Sequence, residues 1–288
     1  MNSINNYKKY IVALIDIVGF KNMIDKTYTD ENMFSRIHEA LSRFTALKSR
    51  EAWENAKILM DIEEDAQKKT LDDFYIENMV HCACFSDCVI IAVEANDKID
   101  ERVSAIIALL AQISADLLRQ GIFIRGAMTY GDLFIEQNAD IYFGKALNHA
   151  HELETKIAKY PRIVLSNDLI AKLNYPLLAK YNRFPYYQYI ERFTDGTVGF
   201  SPLIYFQVMQ SAPDIFSEQE LKSALNEVKN NIIFELNKNF ENPYIFEKYA
   251  WLKDQYNDLI ILDFELSKIL EPDTIHGYKI HYYTKENH

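Results

Sequence analysis

Two aspartates and a glycine are the residues of this chain best placed to do chemistry. Asp16 closes the apolar run Tyr10-Ile11-Val12-Ala13-Leu14-Ile15, Gly19 follows within one turn, and Asp87 stands behind Phe85-Ser86 in a second apolar stretch. Two carboxylates held side by side disfavour each other unless a cation sits between them, and hard oxygen donors favour Mg²⁺ or Mn²⁺. Such a pair suits two ions about 3.5 to 4 Å apart, the arrangement used for in-line attack at phosphorus. A glycine turn that opens a helix leaves backbone N–H groups free at the positive end of the helix dipole, which suits a polyphosphate. Singly, each aspartate is an ordinary strand-end or turn residue; the combination points to a site.

The elements must bring these residues together. The β-branched run to Asp16 predicts a strand buried on both faces, and Val18-Gly19-Phe20 predicts a turn into a helix reaching about Leu47. From Lys48 to Asn78 the chain is charged and free of Gly and Pro, with Trp53, Ala56, Leu59 and Met60 at helical spacing. This reads as an inserted helical arm at about 48–78, most simply a solvated helix. Met79 to Ala95 predicts a hairpin with Ser86-Asp87 at its tip. A helix over Glu101 to Arg119, capped by a left-handed Gly121, precedes a strand from Ile122 to about Tyr130. The order β, α, β, β, α, β is that of a ferredoxin-like α+β unit, an antiparallel-rich sheet with both helices on one face. In that topology the end of the first strand lies beside the hairpin tip, so Asp16 meets Asp87.

Further on, the sequence predicts a short hairpin around Gly131 and Gly144, a helix from Lys145 to about Lys159 and a strand near Arg162 to Leu165. A last β region ends in Leu203-Ile204-Tyr205-Phe206-Gln207-Val208. A break at Ser211-Ala212-Pro213-Asp214 divides the chain into residues 1–210 and a helical extension over 211–288, patterned as helix nearly to Leu270 and split by Pro243. The extension is expected to pack on the domain or on a partner subunit.

Composition narrows the classes. Of 288 residues, 49% are hydrophobic and 25% charged, with only 8 Gly and 7 Pro, which excludes disordered, low-complexity and collagen-like chains. A net charge of −11 disfavours tracking of nucleic-acid backbones. The longest apolar helix pattern, Ile106 to Leu118, is broken by Gln112, Ser114 and Asp116, so no membrane span is expected. Asp16 likewise interrupts the early apolar run, which argues against a signal peptide and for a cytoplasmic protein. Cys82, Cys84 and Cys88 are too few and too clustered for a disulfide framework; alternation puts all three on one strand face as core residues, with His81 and Asp87 on the other. His149 and His151 read as partly exposed structural residues, Tyr130 as packing rather than base stacking, and Phe184 to Tyr189 as core or dimer contact.

The motifs Asp16-Ile17-Val18-Gly19-Phe20, Phe85-Ser86-Asp87, Ile124-Arg125-Gly126-Ala127 with Gly131, and Gly144-Lys145-Ala146-Leu147-Asn148-His149-Ala150 occur in order over the first two-thirds of the chain. In them the sequence resembles the class III nucleotidyl cyclases. The resemblance implies that Asp16, Asp87 and the Ile17 carbonyl hold Mn²⁺ or Mg²⁺, two ions per site. It also implies that Ile17, Val18, Gly19 and Phe20 bind the nucleotide, with the amides near Gly19 and Phe20 holding the β- and γ-phosphates, and that Asn148 orients the ribose across a head-to-tail homodimer with two sites. The implied reaction is attack of the substrate's 3′-oxygen on its own α-phosphorus, with pyrophosphate leaving.

Departures from the family pattern refine this. The base-selecting positions carry Ala83 and Ile141, with Asp140 beside the latter, so neither purine code is present. Together with Phe246-Glu247-Lys248-Tyr249-Ala250-Trp251-Leu252 in the extension, this resembles the Pycsar-type pyrimidine cyclases of bacterial anti-phage defence. That likeness implies UTP or CTP as substrate, cyclic UMP or cyclic CMP as product, and a separate effector that reads it. Glu152 stands where the family has an arginine; Lys156 or Arg125 are the candidate replacements, while Glu152 itself is expected to point away and pair with a cation. Leu147, Ala150, Leu153 and Ile157 are expected to form the other helix face. The alternatives are an inactive nucleotide-binding regulatory module, a purine cyclase, and a diguanylate cyclase relative; the last lacks its hairpin motif here.

Overall fold

A computed structural model describes residues 6–48, 80–95, 99–136, 141–173, 190–211, 213, 216–260, 269–270 and 283–284. Beyond Lys48, the helical arm expected at about 48–78 lies outside them, as do Asp140 and the aromatic run 184–189. The first strand, β1 (Lys8–Ile17), is buried on both faces, as its unbroken apolar run requires. It pairs antiparallel with β3 (Cys88–Glu94) on one side and β4 (Ile124–Glu136) on the other. With β2 (Val80–Phe85) the order β2-β3-β1-β4 reproduces the expected split unit. The sheet continues through β6 (Ile163–Leu165), parallel to β4, to β8 (Val198–Phe200) and β7 (Glu191–Arg192), while β5 (Ile141–Phe143) pairs with β4.

Period-two alternation splits β1 between two hydrophobic clusters. Ile11, Ala13, Ile15 and Ile17 face a large core shared with α1 (Phe20–Thr27), α2 (Glu31–Thr45) and α3 (Ile99–Arg119). Tyr10, Val12 and Leu14 face a smaller cluster closed by Ala146 and Ala150 of α4 (Lys145–Lys156). Asp16, two residues beyond Leu14, falls on the α4 side.

Several elements differ from the sequence reading. The single helix expected to Leu47 is two, because Asp30 caps a new start by accepting the N–H groups of Asn32 and Met33. β4 runs on through Gly131 to Glu136, past the strand end expected near Tyr130, and the hairpin expected around Gly131 and Gly144 is formed by β4 and β5. A Cβ at Gly131 would lie 3.4 Å from the Ala146 methyl, an ordinary contact, so α4 packs directly over β4 there. Cys88 lies on the opposite sheet face from Cys82 and Cys84: the two-residue turn at Ser86-Asp87 resets the alternation, so Cys88 pairs with Phe85. After a one-turn helix α5 (Asn167–Ile170), the expected strand at 203–208 is a helix, α6 (Ile204–Ser211). Tyr205, Phe206 and Met209 bury from it, and that tertiary packing overrides their strand preference.

The extension forms α7 (Glu218–Lys238), opened by a Ser217/Glu220 capping box, and α8 (Pro243–Ile260), with Pro243 at its first position. The helical pattern expected nearly to Leu270 gives way to β9 (Ile269–Leu270), paired with β10 (Tyr283–Thr284). Among the described residues no helix is long and apolar enough to cross a membrane.

Candidate active site

The site is built where β1, the β2–β3 turn and α1 converge. Asp16, one residue before the end of β1, lies between Cys88 and Arg125 in the sheet register. The Ile17 N–H donates to the Asp87 carbonyl at 3.2 Å, fastening the hairpin tip to the end of β1. Ser86 takes the left-handed conformation (φ 58°), uncommon for a residue with a Cβ, and the resulting tight turn holds Asp87 beside Asp16. The β1–α1 turn depends on Gly19 (φ 77°), the N-cap of α1, where a side chain would be strained although no atom stands in its way. No side chain caps α1 at Gly19, so its leading N–H groups at Phe20 and Lys21 precede the intrahelical ladder and face the turn. Gly126 serves a different need: a Cβ there would meet the Leu14 carbonyl at 2.4 Å, so only glycine lets β4 approach β1 beside Asp16.

Arg125 organises the charge. Its Nε donates to Asp16 Oδ2 at 2.8 Å, its Nη2 pairs with Glu154 Oε1 at 2.6 Å, and its Nη1 donates to the Ala158 carbonyl at 3.3 Å. Burial pushes the Asp16 carboxyl above its ordinary range; the Arg125 hydrogen bond and charge draw it back, and Glu154 and Asp87 push it up again. Cys88 senses the same field: burial, then Asp16, Asp87 and Glu154, raise its thiol to about 11. Two carboxylates thus share one guanidinium, and Asp87 adds a further negative charge beside Asp16.

Among the described residues no group of three or more His, Cys, Asp or Glu side chains is close enough to hold a metal by itself. Asp16 and Asp87 bring two carboxylates to one place, fewer donors than a full shell. That donor set fits Mg²⁺ or Mn²⁺ arriving with a substrate, because Mg²⁺ is usually held by one or two carboxylates together with phosphate oxygens and water. The residues therefore fit the group, with Asp16 keeping Oδ1 outside the Arg125 hydrogen bond.

The other expected site residues are dispersed. Asn148 is exposed on α4, and among the described residues no hydrogen bond or ion pair joins it to Asp16. Ala83 lies on the edge strand β2, paired with Ile90. Ile141 opens β5 opposite Glu136 and is 43% exposed. Glu152 is exposed as expected, but among the described residues no cation pairs with it. Lys156 is exposed and does not join the Asp16 cluster, whereas Arg125 does. His149 approaches Asp168 at 3.7 Å, and Tyr130 lies under the ammonium groups of Lys172 and Lys9, at 5.4 and 6.0 Å from its ring centre. Both are thereby tied into the structure.

Glu154 is the residue that the sequence reading missed. The stripe that α4 turns inward is Ala146, Ala150 and Glu154, and Ile157, expected on the inner face, is 40% exposed. The i, i+4, i+8 spacing from two alanines was the available signal.

No family model matches the chain, and no curated protein does. Solved structures with some likeness include the catalytic core of a rhodopsin-guanylyl cyclase with converted specificity in complex with ATPαS, at 14% identity and a TM-score of 0.37 over 60% of this chain and 84% of that one. The monomeric guanylyl cyclase domain of the RhoGC fusion protein from the aquatic fungus Blastocladiella emersonii shares 13% identity, with a TM-score of 0.39 over 67% of this chain and 95% of that one. A class III adenylyl cyclase-like ATP-binding protein from Pseudomonas aeruginosa shares 12%, with a TM-score of 0.37, over 81% of this chain and 48% of that one.

Proposed function

We propose that the protein is a metal-dependent nucleotidyl cyclase that converts UTP or CTP to the 3′,5′-cyclic monophosphate and pyrophosphate. The observation that carries this is the meeting of Asp16 and Asp87 beside the Gly19 turn, two carboxylates next to a backbone polyphosphate cradle. A divalent cation bound by Asp16, Asp87 and the Ile17 carbonyl would supply Lewis-acid activation of the 3′-hydroxyl and charge neutralisation at the α-phosphate. The chain's own residues do the rest. The Gly19 and Phe20 amides grip the phosphates and orient the α-phosphorus for in-line attack. Arg125 fixes the Asp16 carboxylate and sits where it offsets negative charge at the site. Asn148, exposed on α4, is available to a nucleotide held by a second copy of the chain in a homodimer.

Ala83 and Ile141 argue against the purine code, because neither offers a side-chain hydrogen bond to a purine edge, and the choice of a pyrimidine follows from the Pycsar resemblance. The role that follows from the Pycsar resemblance is production of cyclic UMP or cyclic CMP as a cytoplasmic alarm signal in bacterial anti-phage defence, read by a separate effector. A second reading, a nucleotide-binding module without turnover, is favoured by one observation: Arg125 already engages one oxygen of Asp16.

The test is incubation of the purified protein with ATP, GTP, CTP and UTP separately, with Mn²⁺ or Mg²⁺, and mass analysis for cyclic monophosphates. The expected result is one cyclic pyrimidine product, lost by at least about 100-fold in Asp16→Asn and Asp87→Asn with unchanged melting temperature. A cyclic purine would overturn the reading of Ala83 and Ile141. Binding of nucleotide without any product would favour the regulatory module.

A further inference from the structure

The C-terminal helices form the far wall of a cleft that opens on the β1–α1 turn. The cleft holds about 560 Å³, and Val18, Gly19 and Phe123 border it where it approaches β1. Lys26, Arg36, Lys238 and Lys248 line it against Asp30 and Glu235, a positive excess on a chain whose net charge is −11. Two of these cations are engaged: Arg36 donates to the Gln120 carbonyl, and Lys238 pairs with Glu235 at 3.0 Å. Lys248 is different. Among the described residues nothing hydrogen-bonds or ion-pairs with its ammonium group, although it is half-buried.

Its neighbours on α8 fix where it stands. Glu247 accepts from the Tyr160 hydroxyl at 2.7 Å, Tyr249 packs edge-on against Phe123 at 4.9 Å, and Trp251 stacks on Tyr160 at 5.3 Å. Burial lowers the Lys248 pKa and the nearby Arg125 lowers it further, whereas Asp16 and Glu154 act to raise it, so the ammonium lies within the field of the Asp16 cluster. A half-buried cation that no side chain hydrogen-bonds, lining the same cleft as the Gly19 turn, is completed by an anion.

We propose that Lys248, supplied in cis by the C-terminal extension, binds the terminal phosphates of the nucleoside triphosphate opposite the Gly19 turn. This rests on the reading that the site takes a nucleoside triphosphate, and it makes α8 part of the binding site.

Calorimetric binding of inorganic tripolyphosphate with Mg²⁺, alongside turnover of the preferred nucleotide, tests it on the full chain. Lys248→Met, which keeps the aliphatic stem, is expected to weaken tripolyphosphate binding and raise KM about tenfold with kcat little changed, and Lys248→Arg to restore most of both. Unchanged melting temperatures separate lost charge from lost packing. If the parent forms cyclic product but Lys248→Met binds tripolyphosphate as the parent does, the proposal is overturned and the cyclase reading stands. Should the parent form no product yet bind tripolyphosphate in a Lys248-dependent way, the cyclase reading falls and the Lys248 site stands. No binding of tripolyphosphate by the parent overturns it outright.

Discussion

At the scale of single residues, the charge at Asp16 turns on how Arg125 is shared between Asp16 and Glu154. Asp16 and Asp87 were legible in the sequence because each sits at a punctuated place, a strand end and a hairpin tip. Glu154 was not, because an acidic residue eight positions along a helix reads as solvent-facing unless the small alanines before it are taken as the inward stripe. Its role gives a signed prediction. Burial is the main influence raising the Asp16 carboxyl, Arg125 opposes it, and Glu154 adds to it. Glu154→Gln removes one raising influence, so Asp16 ionises at lower pH. The acidic limb of the pH–rate profile is expected to move to lower pH, with the alkaline limb unmoved. An acidic limb that stays put or moves upward would show that Glu154 is not coupled to Asp16.

At the scale of elements, the period-two and helical patterns located β1, the β2–β3 hairpin, α3 and the C-terminal helices. They failed where packing decides: α6 is made of strand-preferring residues buried as a helix. Composition could not show what anchors α8 either. Arg162, 1% exposed, lies 4.4 Å from the Phe193 ring centre, 5.1 Å from Tyr160 and 5.5 Å from Trp251, and it pairs with Asp195. The cation thus joins the end of β6 to the 193–195 turn and to α8. Burial works against ionised Asp195, but hydrogen bonds from Arg162 and Thr197 hold its carboxyl down at about 2, from an ordinary 3.8. A depressed acid contributes stability that is present above pH 3.8 and is lost as pH falls through about 2. Asp195 is 41% exposed, so solvent screening limits that contribution to roughly 1 kcal/mol. Asp195→Asn is expected to melt slightly lower at pH 7 and to show a shallower loss of stability between pH 4 and 2, followed by thermal unfolding across that range. An identical acid slope in the variant would remove Asp195 from the acid response.

At the scale of the whole molecule, the boundary at about residue 211 separates kinds of element without separating cores. α3 is buried nearly all round from Val103 to Leu118, which sheet contact along one stripe does not achieve. The remaining cover comes from the extension: Asn231 of α7 donates to the Leu118 and Arg119 carbonyls, Arg119 pairs with Glu227 at 2.7 Å, and Tyr249 of α8 covers Phe123. Leu221, Leu225, Val228, Ile232 and Leu236 of α7 belong to the same hydrophobic cluster as Ile11 and Ile15 of β1. Fully burying one such side chain stabilises by about 1.5 to 3 kcal/mol, against a net stability on the order of 5 to 15 kcal/mol for a whole domain. Losing the partners of α7 and α8 therefore exceeds what the remainder can bear. A chain ending at residue 210 is expected to be insoluble, or compact with bound hydrophobic dye and no cooperative melt. If it instead melted cooperatively and bound no dye, the extension would be a dispensable appendage, and Lys248 would have to reach the cleft from a separately folded unit rather than from the wall of a common core.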